Sequence, residues 1–209
     1  MTESAIRHDY CRLCGGRDLE LVVRLTPTPL AHAFVTEQQL DDPHPAYPLE
    51  LFLCRACGYA GMLDVVTREV LWDDSNEVTS RSLGVVEDLR QQAESIVARI
   101  NPPRDSLAVD IGSNDGTLLK FLQERGLRVL GVEPAGYVAD MAIASGIPTM
   151  KTYFSKELAQ KIRDEWGPAT IVTANRVFAN VDDLADMTEG IRHLLAPDGV
   201  FVFETGYVV

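Results

Sequence analysis

Two short cysteine motifs, each with the spacing Cys-x-x-Cys-Gly, constrain this chain more than any other feature. The first contains Cys11 and Cys14, and the second contains Cys54 and Cys57. A turn of this kind directs two thiolates to one side of the backbone, and two turns supply the four ligands that tetrahedral zinc takes. Four thiolates leave no open coordination position, so we expect a structural zinc. The alternative is two disulfides or four free thiols.

Composition and charge limit where the chain works and what it binds. No apolar run reaches the roughly 18 residues of a membrane span, and the N-terminus lacks the apolar core of a signal peptide. We therefore expect a cytoplasmic protein with no membrane association, in which paired cysteines favour a metal over a disulfide. The formal net charge is −12, which disfavours binding to a phosphate backbone, so we expect no nucleic-acid partner.

The pattern of apolar residues predicts three segments: 1–66, 67–104 and 105–209. The first contains all four cysteines. The second is a helical connector in which apolar residues from Leu83 to Ile100 recur at spacings of three and four and form one stripe. The third alternates strands and helices, which predicts an α/β fold with a doubly wound parallel sheet. The predicted strands are 107–111, 129–132, 147–150, 170–173 and 200–203. The predicted helices are 118–124, 137–145, 155–166 and 184–195, with Ser155 as the N-cap of the third.

A glycine-rich turn follows the first strand of the third segment. Asp110 precedes Gly112, and Gly116 follows four residues later. We expect Gly112 to let the backbone pass close to a ligand and Gly116 to let the next helix start close to the strand. The dinucleotide pattern G-x-G-x-x-G has a second glycine that this turn lacks. We therefore expect a carboxylate or a sulfonium-bearing amino acid at the helix N-terminus, rather than a pyrophosphate.

Glu133 ends the second strand of this segment, about 20 residues beyond the glycines. A carboxylate at that place can accept hydrogen bonds from both hydroxyls of a ribose. The alternative is a strand-end carboxylate that caps the following helix. Together, the turn and Glu133 favour an adenosine-type cofactor.

Motifs along nearly the whole chain resemble one enzyme family. The two cysteine motifs are followed by IGSNDGTLL, GVEPA, GIPT, TANRVFANVDDL and FVFETGY, and this series resembles the deoxysugar C-methyltransferases. The resemblance implies a Rossmann-like class I methyltransferase sheet preceded by a small zinc-binding domain, with S-adenosylmethionine (SAM) as cofactor. It also implies a small-molecule keto substrate, such as a nucleotide-linked deoxysugar.

The same resemblance assigns cofactor-binding roles to individual residues. Asn114 and Asp115 match the cofactor loop, Phe154 matches an aromatic residue near the adenine, and Asn175 matches a position beside the methionine part. Packing in the core is the alternative for Phe154. The full predicted cofactor set is Asp110, Gly112, Asn114, Asp115, Gly116, Glu133, Phe154 and Asn175.

The sequence departs from the family in three places. A Tyr-rich element with two serines is reduced to Thr79-Ser80, and Asn180 stands where the family has a histidine. The family also continues beyond Val209 into a Tyr-His-Glu-His segment with the expected base and into the last strands. The resemblance therefore implies a sheet truncated after its fifth strand. A homodimer mate, a partner chain or the rest of a longer protein would cover the exposed edge.

Carbon methylation beside a ketone needs a base, stabilisation of the enolate and in-line attack on the methyl group. Glu204 and Tyr207 follow the fifth strand, where this fold places ligands, so they are the candidate catalytic residues. Arg176 would pair with a diphosphate or a substrate carboxylate, or lie solvated on the surface. His193 is expected to be structural.

Two functions stay open. The first is a SAM-dependent methyltransferase of natural-product biosynthesis, with carbon favoured over oxygen as the acceptor. The alternative is a non-catalytic relative that binds zinc and SAM and acts as a partner or scaffold subunit. A zinc-ribbon nucleic-acid protein would have similar cysteines, but the net charge of −12 disfavours this class.

Overall fold

The computed structural model describes residues 5–31, 35–72 and 77–206 of the chain. They fall into two compact units, Met1–Ser75 and Asn76–Val209. The division of the sequence into three segments, with boundaries near residues 66 and 104, stays a prediction.

Short antiparallel strands build the first unit. Its elements are β1 (Ala5–Arg7), β2 (Leu19–Thr28), a 3₁₀ turn (Glu37–Gln39), β3 (Tyr47–Cys54), β4 (Ala60–Met62), β5 (Asp64–Val66) and α1 (Arg68–Trp72). Strands β2, β3 and β4 form one antiparallel sheet in that order, and β1 pairs with β5. One cysteine motif precedes β2, and the other begins at the last residue of β3.

The described part of this unit buries very few apolar side chains. Its buried hydrophobic residues are Cys11, Tyr47, Cys54 and Leu63. Two of these four are cysteines of the predicted metal site. A core of this size supplies little hydrophobic stabilisation, and small units of this kind usually depend on a metal or on disulfides.

The second unit alternates helices and strands. Its elements are a 3₁₀ turn (Thr79–Arg81), α2 (Leu83–Ile100), β6 (Leu107–Ile111), α3 (Thr117–Glu124), β7 (Arg128–Val132), α4 (Gly136–Ala144), β8 (Thr149–Met150), α5 (Lys156–Trp166), β9 (Ala169–Asn175), a 3₁₀ turn (Phe178–Asn180), α6 (Leu184–Leu194) and β10 (Leu195–Glu204). The strands form one parallel sheet in the order β10-β9-β6-β7-β8. The predicted α/β fold with a parallel, doubly wound sheet is confirmed.

Both faces of the sheet are covered, because side chains alternate along each strand. Leu107, Val109 and Ile111 of β6 belong to a core cluster that includes residues of α5 and α6. Ala108 belongs to a second cluster, which includes residues of α2 and α3. Because β9, β6 and β7 are neighbours and parallel, their carboxyl ends lie side by side at one end of the sheet. Ligands bind at this end in folds of this kind.

Local signals at helix ends account for several predicted boundaries. Helix α2 ends at Ile100 and is capped by Asn101, which adopts the left-handed conformation (φ 46°) and donates its N–H to Val97 O. The side chain of Asp183 caps α6 by accepting the N–H of Asp186 at 2.9 Å. The predicted apolar stripe of α2 is wrong at its first residue, because the side chain of Leu83 is 84% exposed.

Replacement of Ser155 by alanine is expected to destabilise the second unit by about 1 kcal/mol. The Ser155 hydroxyl caps α5 by accepting the N–H of Leu158 at 3.2 Å, and alanine leaves that donor without its cap. Urea denaturation measures the change. Ser95→Ala is the matched control, since Ser95 is an exposed residue inside α2. Equal unfolding free energies for the two variants would contradict the capping role.

Strands β8 and β10 form the two edges of the sheet. Within the described ranges no strand pairs with the outer side of β10, and a homodimer mate or partner chain at this edge stays a prediction. None of the helices in the described ranges combines the length and the apolar character needed to cross a membrane.

Candidate functional site

The four cysteine sulfurs of the first unit form one cluster. Their Sγ atoms all lie within 4.8 Å of one another. Cys11 Sγ lies 3.7 Å from Cys57 Sγ, and Cys14 Sγ lies 3.6 Å from Cys54 Sγ. Ligands about 2.3 Å from a tetrahedral zinc are separated by about 3.8 Å, so the cluster fits this ion. A disulfide bond of about 2.05 Å is far shorter than either distance.

The backbone of each cysteine motif forms the same tight turn. Gly15 N–H donates to Cys11 O, and Gly58 N–H donates to Cys54 O, both at 2.8 Å. Gly15 and Gly58 have φ values of 73° and 78°, in the left-handed region that glycine adopts without strain. The glycine after the second cysteine therefore closes each turn, which is how two sulfurs come to one side.

Glu133 lies directly after β7 and is buried, with 7% of its surface exposed. Its Oε2 accepts the N–H of Asn114 at 2.9 Å, and its Oε1 accepts the N–H of Ala135 at 2.8 Å. Burial raises the pKa of Glu133, while the two N–H donors act in the opposite direction. Each oxygen keeps a further lone pair, so the carboxylate can accept two hydroxyl groups. The bond from Ala135 restrains the residue before α4 but does not involve the N–H groups of that helix's first turn.

The glycines of the turn allow close packing against side chains of the same unit. A Cβ on Gly112, which has φ +72°, would lie 2.3 Å from Val177 Cγ2. A Cβ on Gly116 would lie 3.1 Å from Ile147 Cγ1. In the structure, the close approach predicted for a ligand at Gly112 is made by the side chain of Val177.

The side chains of Asn114 and Asp115 bind the backbone of residues 77–80. Asn114 Oδ1 accepts the N–H of Thr79 at 2.9 Å, and Asn114 Nδ2 donates to Glu77 O at 2.8 Å. Asp115 Oδ2 accepts the N–H of Ser80 at 2.8 Å. Thr79 and Ser80 keep the hydroxyl groups of the family's two serines, whereas these contacts use their backbone N–H groups.

Asp110 is buried, with 4% of its surface exposed, near the carboxyl end of β6. Its Oδ1 accepts the hydroxyl of Thr173 at 2.6 Å. Burial raises the pKa of Asp110 to about 7, opposed by the bond from Thr173 and assisted by the negative charge of Glu133. The carboxyl groups of Asp110 and Glu133 are therefore both buried and interact electrostatically.

Replacement of Asp110 by asparagine is expected to flatten the dependence of stability on pH. The folded chain holds a proton on Asp110 up to about pH 7, whereas the unfolded chain loses it near pH 4. The wild-type free energy of unfolding should therefore fall as pH rises through this window, by a few kcal/mol at most. Urea denaturation of both proteins between pH 4.5 and 8 measures the difference. Parallel curves would contradict the assignment.

Asn175 and Phe154, two further residues predicted to bind the cofactor, contact other side chains of the second unit. Asn175 and Gln92 form a reciprocal amide pair, with Asn175 Nδ2 donating to Gln92 Oε1 at 2.7 Å and Gln92 Nε2 donating to Asn175 Oδ1 at 3.0 Å. Phe154 is half-buried and packs on the core cluster beside α6, where its Cε1 would lie 3.0 Å from a Cβ on Gly190. Sequence reasoning missed Gln92, because no local pattern marks a partner 83 residues away.

Glu204, one of the two candidate catalytic residues, is the last residue of β10. Arg176 Nε donates to Glu204 Oε1 at 3.0 Å, and Arg176 N–H donates to Glu204 O at 2.8 Å. Asn180 Nδ2 donates to Arg176 O at 2.7 Å, so the residue that replaces the family's histidine holds the backbone of Arg176. Tyr207 lies outside the described residues.

Two protein-family models match this chain. The model described as "Putative zinc binding domain" matches residues 11–72, which include all four cysteines. The model described as "Methyltransferase domain" matches residues 85–207, which include every predicted cofactor residue. The first match and the four-thiolate cluster together support a structural zinc.

One curated relative covers nearly the whole chain. The C-methyltransferase NovU of Streptomyces niveus is 32% identical over 201 residues. The alignment includes 96% of this chain and 48% of the relative, so the chain spans about half the length of that protein.

Solved structures of methyltransferases resemble part of the chain. The plantazolicin methyltransferase BpumL, in complex with a triazolic desmethylPZN analog and SAH, is 11% identical with a TM-score of 0.47, covering 59% of this chain and 48% of BpumL. A SAM-dependent methyltransferase from Geobacter sulfurreducens, in complex with S-adenosyl-L-homocysteine, is 14% identical with a TM-score of 0.43, covering 54% and 47%.

Proposed function

We propose, from the premise that this chain belongs to the methyltransferase-domain family, that it transfers a methyl group from SAM to a small keto substrate of natural-product biosynthesis. A nucleotide-linked deoxysugar is the favoured substrate, and carbon is the favoured acceptor atom. The relative NovU, named a C-methyltransferase, supports the choice of carbon.

The buried carboxylate of Glu133 carries this proposal. It stands at the carboxyl end of β7, and each of its oxygens accepts one backbone N–H and keeps a further lone pair for a hydroxyl donor. A fixed acceptor pair of this kind suits the two hydroxyls of a ribose. Glu133 would hold the ribose of SAM, and the turn that begins at Gly112 would lie beside it. When bound, SAM supplies an electrophilic methyl group on a sulfonium.

Arg176 and Glu204 are the proposed contacts for the substrate. Both side chains are about half exposed, at 64% and 48%, and lie after β9 and at the end of β10. The Arg176 guanidinium uses Nε for Glu204, which leaves its other N–H groups for a diphosphate. Glu204 Oε2 would take the proton from the carbon beside the ketone. Arg176 has φ +58°, an uncommon conformation for a residue with a side chain.

A non-catalytic partner or scaffold subunit is the second candidate. The ion pair of Glu204 with Arg176 favours it, because the pair occupies one oxygen of the candidate base. Asn180 also favours it, since this amide cannot accept a proton from the substrate and instead bonds to Arg176 O.

Cofactor binding and methyl transfer separate the two candidates. Calorimetry with SAM is expected to show binding, and labelled methyl groups should appear on a keto-sugar nucleotide. Glu204→Gln should reduce transfer strongly while SAM binding is unchanged, and Arg176→Ala should raise KM for the nucleotide-linked sugar. Binding without transfer on any keto-sugar nucleotide would favour the scaffold subunit. No binding at millimolar SAM would contradict both.

A further inference from the structure

We propose that Asn114 is a positioning residue that orients the carboxylate of Glu133, and that a strap formed by residues 77–80 holds Asn114 in place. This inference rests on the proposed function, because it takes Glu133 as the contact to the ribose of SAM. It changes the role that the family resemblance gives to Asn114, from direct contact with the cofactor to action through Glu133.

The backbone of Asn114 has the unusual geometry that the proposal needs. Its φ is +51°, in the left-handed region that asparagine enters more easily than most residues but still at some cost. In this conformation its N–H points at Glu133 Oε2, 2.9 Å away. The orientation of the carboxylate thus depends on the conformation of one residue.

The side chain of Asn114 is committed to the protein. Its Oδ1 accepts the N–H of Thr79 at 2.9 Å and that of Asp115 at 3.0 Å, and its Nδ2 donates to Glu77 O at 2.8 Å. The amide oxygen therefore has both lone pairs occupied. Two of these three bonds reach the strap, so the strap holds Asn114 in its left-handed conformation.

The strap also supports the second donor to Glu133. Val78 is 6% exposed and packs in a small cluster with Ala135 and Val138, which are 2% and 0% exposed. The N–H of Ala135 donates to Glu133 Oε1 at 2.8 Å. Each oxygen of the carboxylate is therefore fixed by a residue that the strap contacts, one by hydrogen bonds and the other by packing.

A third contact attaches the strap to the start of α3. Asp115 is buried, and its Oδ2 accepts the N–H of Ser80 at 2.8 Å. Its Oδ1 accepts the hydroxyl of Thr117 at 2.6 Å. The strap is thus bonded to two successive residues of the turn, and a shift of the strap would move the donor of Glu133 Oε2.

The variant Asn114→Gly tests this role. Glycine adopts φ +51° without strain, so the variant keeps the backbone conformation accessible while it loses the two bonds to the strap and the local bond from Asp115 N–H. We expect the affinity for S-adenosylhomocysteine, measured by calorimetry, to fall about tenfold, as for loss of an ordinary hydrogen-bonded support. Asn101→Gly is the matched control, because Asn101 has φ 46° at the exposed end of α2. Its affinity should stay within about twofold of wild type.

A double-mutant cycle with Glu133→Gln distinguishes positioning from direct contact. If Asn114 acts through Glu133, Asn114→Gly should cost less than about twofold in the Glu133→Gln background, because the group it orients is already altered. A full tenfold loss in both backgrounds would overturn the proposal, since it would mean that Asn114 acts independently of Glu133. Unchanged affinity of Asn114→Gly in the wild-type background would overturn it too.

A second variant covers the case in which Asn114→Gly does not fold. Val78→Ala removes part of the packing in the cluster that contains Ala135, so we expect the affinity to fall threefold to tenfold. This loss should be smaller in the Glu133→Gln background. Loss in wild type with no loss in Glu133→Gln supports the strap. If wild type itself binds no S-adenosylhomocysteine, the proposed function fails together with this inference. If only Glu133→Gln loses affinity, the inference alone fails.

Discussion

Replacement of Cys54 by serine is expected to abolish zinc binding and unfold the first unit. Cys54 is 1% exposed, and the described part of the unit has only three other buried hydrophobic residues, one of which is Cys11. The free energy of zinc binding is then the main source of stability, at about 10–16 kcal/mol for structural sites near neutral pH. One zinc per chain should be found in wild type by atomic emission, and none in the variant.

Leu13→Ser is the matched control for this experiment. Leu13 lies inside the first cysteine turn and is 56% exposed, so serine enters the same motif without removing a thiolate. This variant should keep one zinc and the wild-type far-UV spectrum. A chelator should reproduce the effect of Cys54→Ser on wild type. Retention of zinc and of the β signal in Cys54→Ser would contradict the four-cysteine site.

The variant Glu133→Gln is expected to weaken SAM binding by about 100-fold, or about 3 kcal/mol. Each oxygen of Glu133 accepts a backbone N–H, from Asn114 at 2.9 Å and from Ala135 at 2.8 Å. A glutamine places an NH₂ group against one of these donors, so one buried N–H loses its acceptor. The variant also loses acceptor capacity for one ribose hydroxyl. Calorimetry with SAM measures the change.

Glu124→Gln separates this effect from the change in net charge. Glu124 is exposed at the end of α3, and its variant should bind SAM as wild type does. Thermal unfolding of Glu133→Gln checks that the second unit stays folded. Wild-type affinity in folded Glu133→Gln would remove Glu133 as the ribose contact.

Features set by neighbours along the chain were predictable from the sequence. The strand over 107–111 is a short, mainly apolar run followed by a glycine-rich turn, and it forms at those residues. Ser155 was predicted as the cap of α5 from its place before the apolar pattern, and its hydroxyl makes the capping bond. The four cysteines come together because each motif forms a tight turn and the antiparallel pairing of β2 with β3 places Leu19 opposite Cys54.

Pairing between distant residues could not be predicted in the same way. Strand β10 was predicted over 200–203, whereas it begins at Leu195, which pairs with Ala169 before an irregularity in the register. The stretch from Leu195 to Gly199 contains proline, aspartate and glycine, which favour a turn, so pairing with β9 outweighs local preference. The bonds from Asn114 to the strap span about 35 residues, and no short-range pattern signals them.

The contact between Gly112 and Val177 ties two loops of the second unit together. Val177 Cγ2 lies 2.3 Å from where a Cβ at position 112 would stand, and the φ of +72° would strain any side chain there as well. Across related sequences, position 112 is therefore expected to stay glycine even where the residue at 177 is smaller than valine.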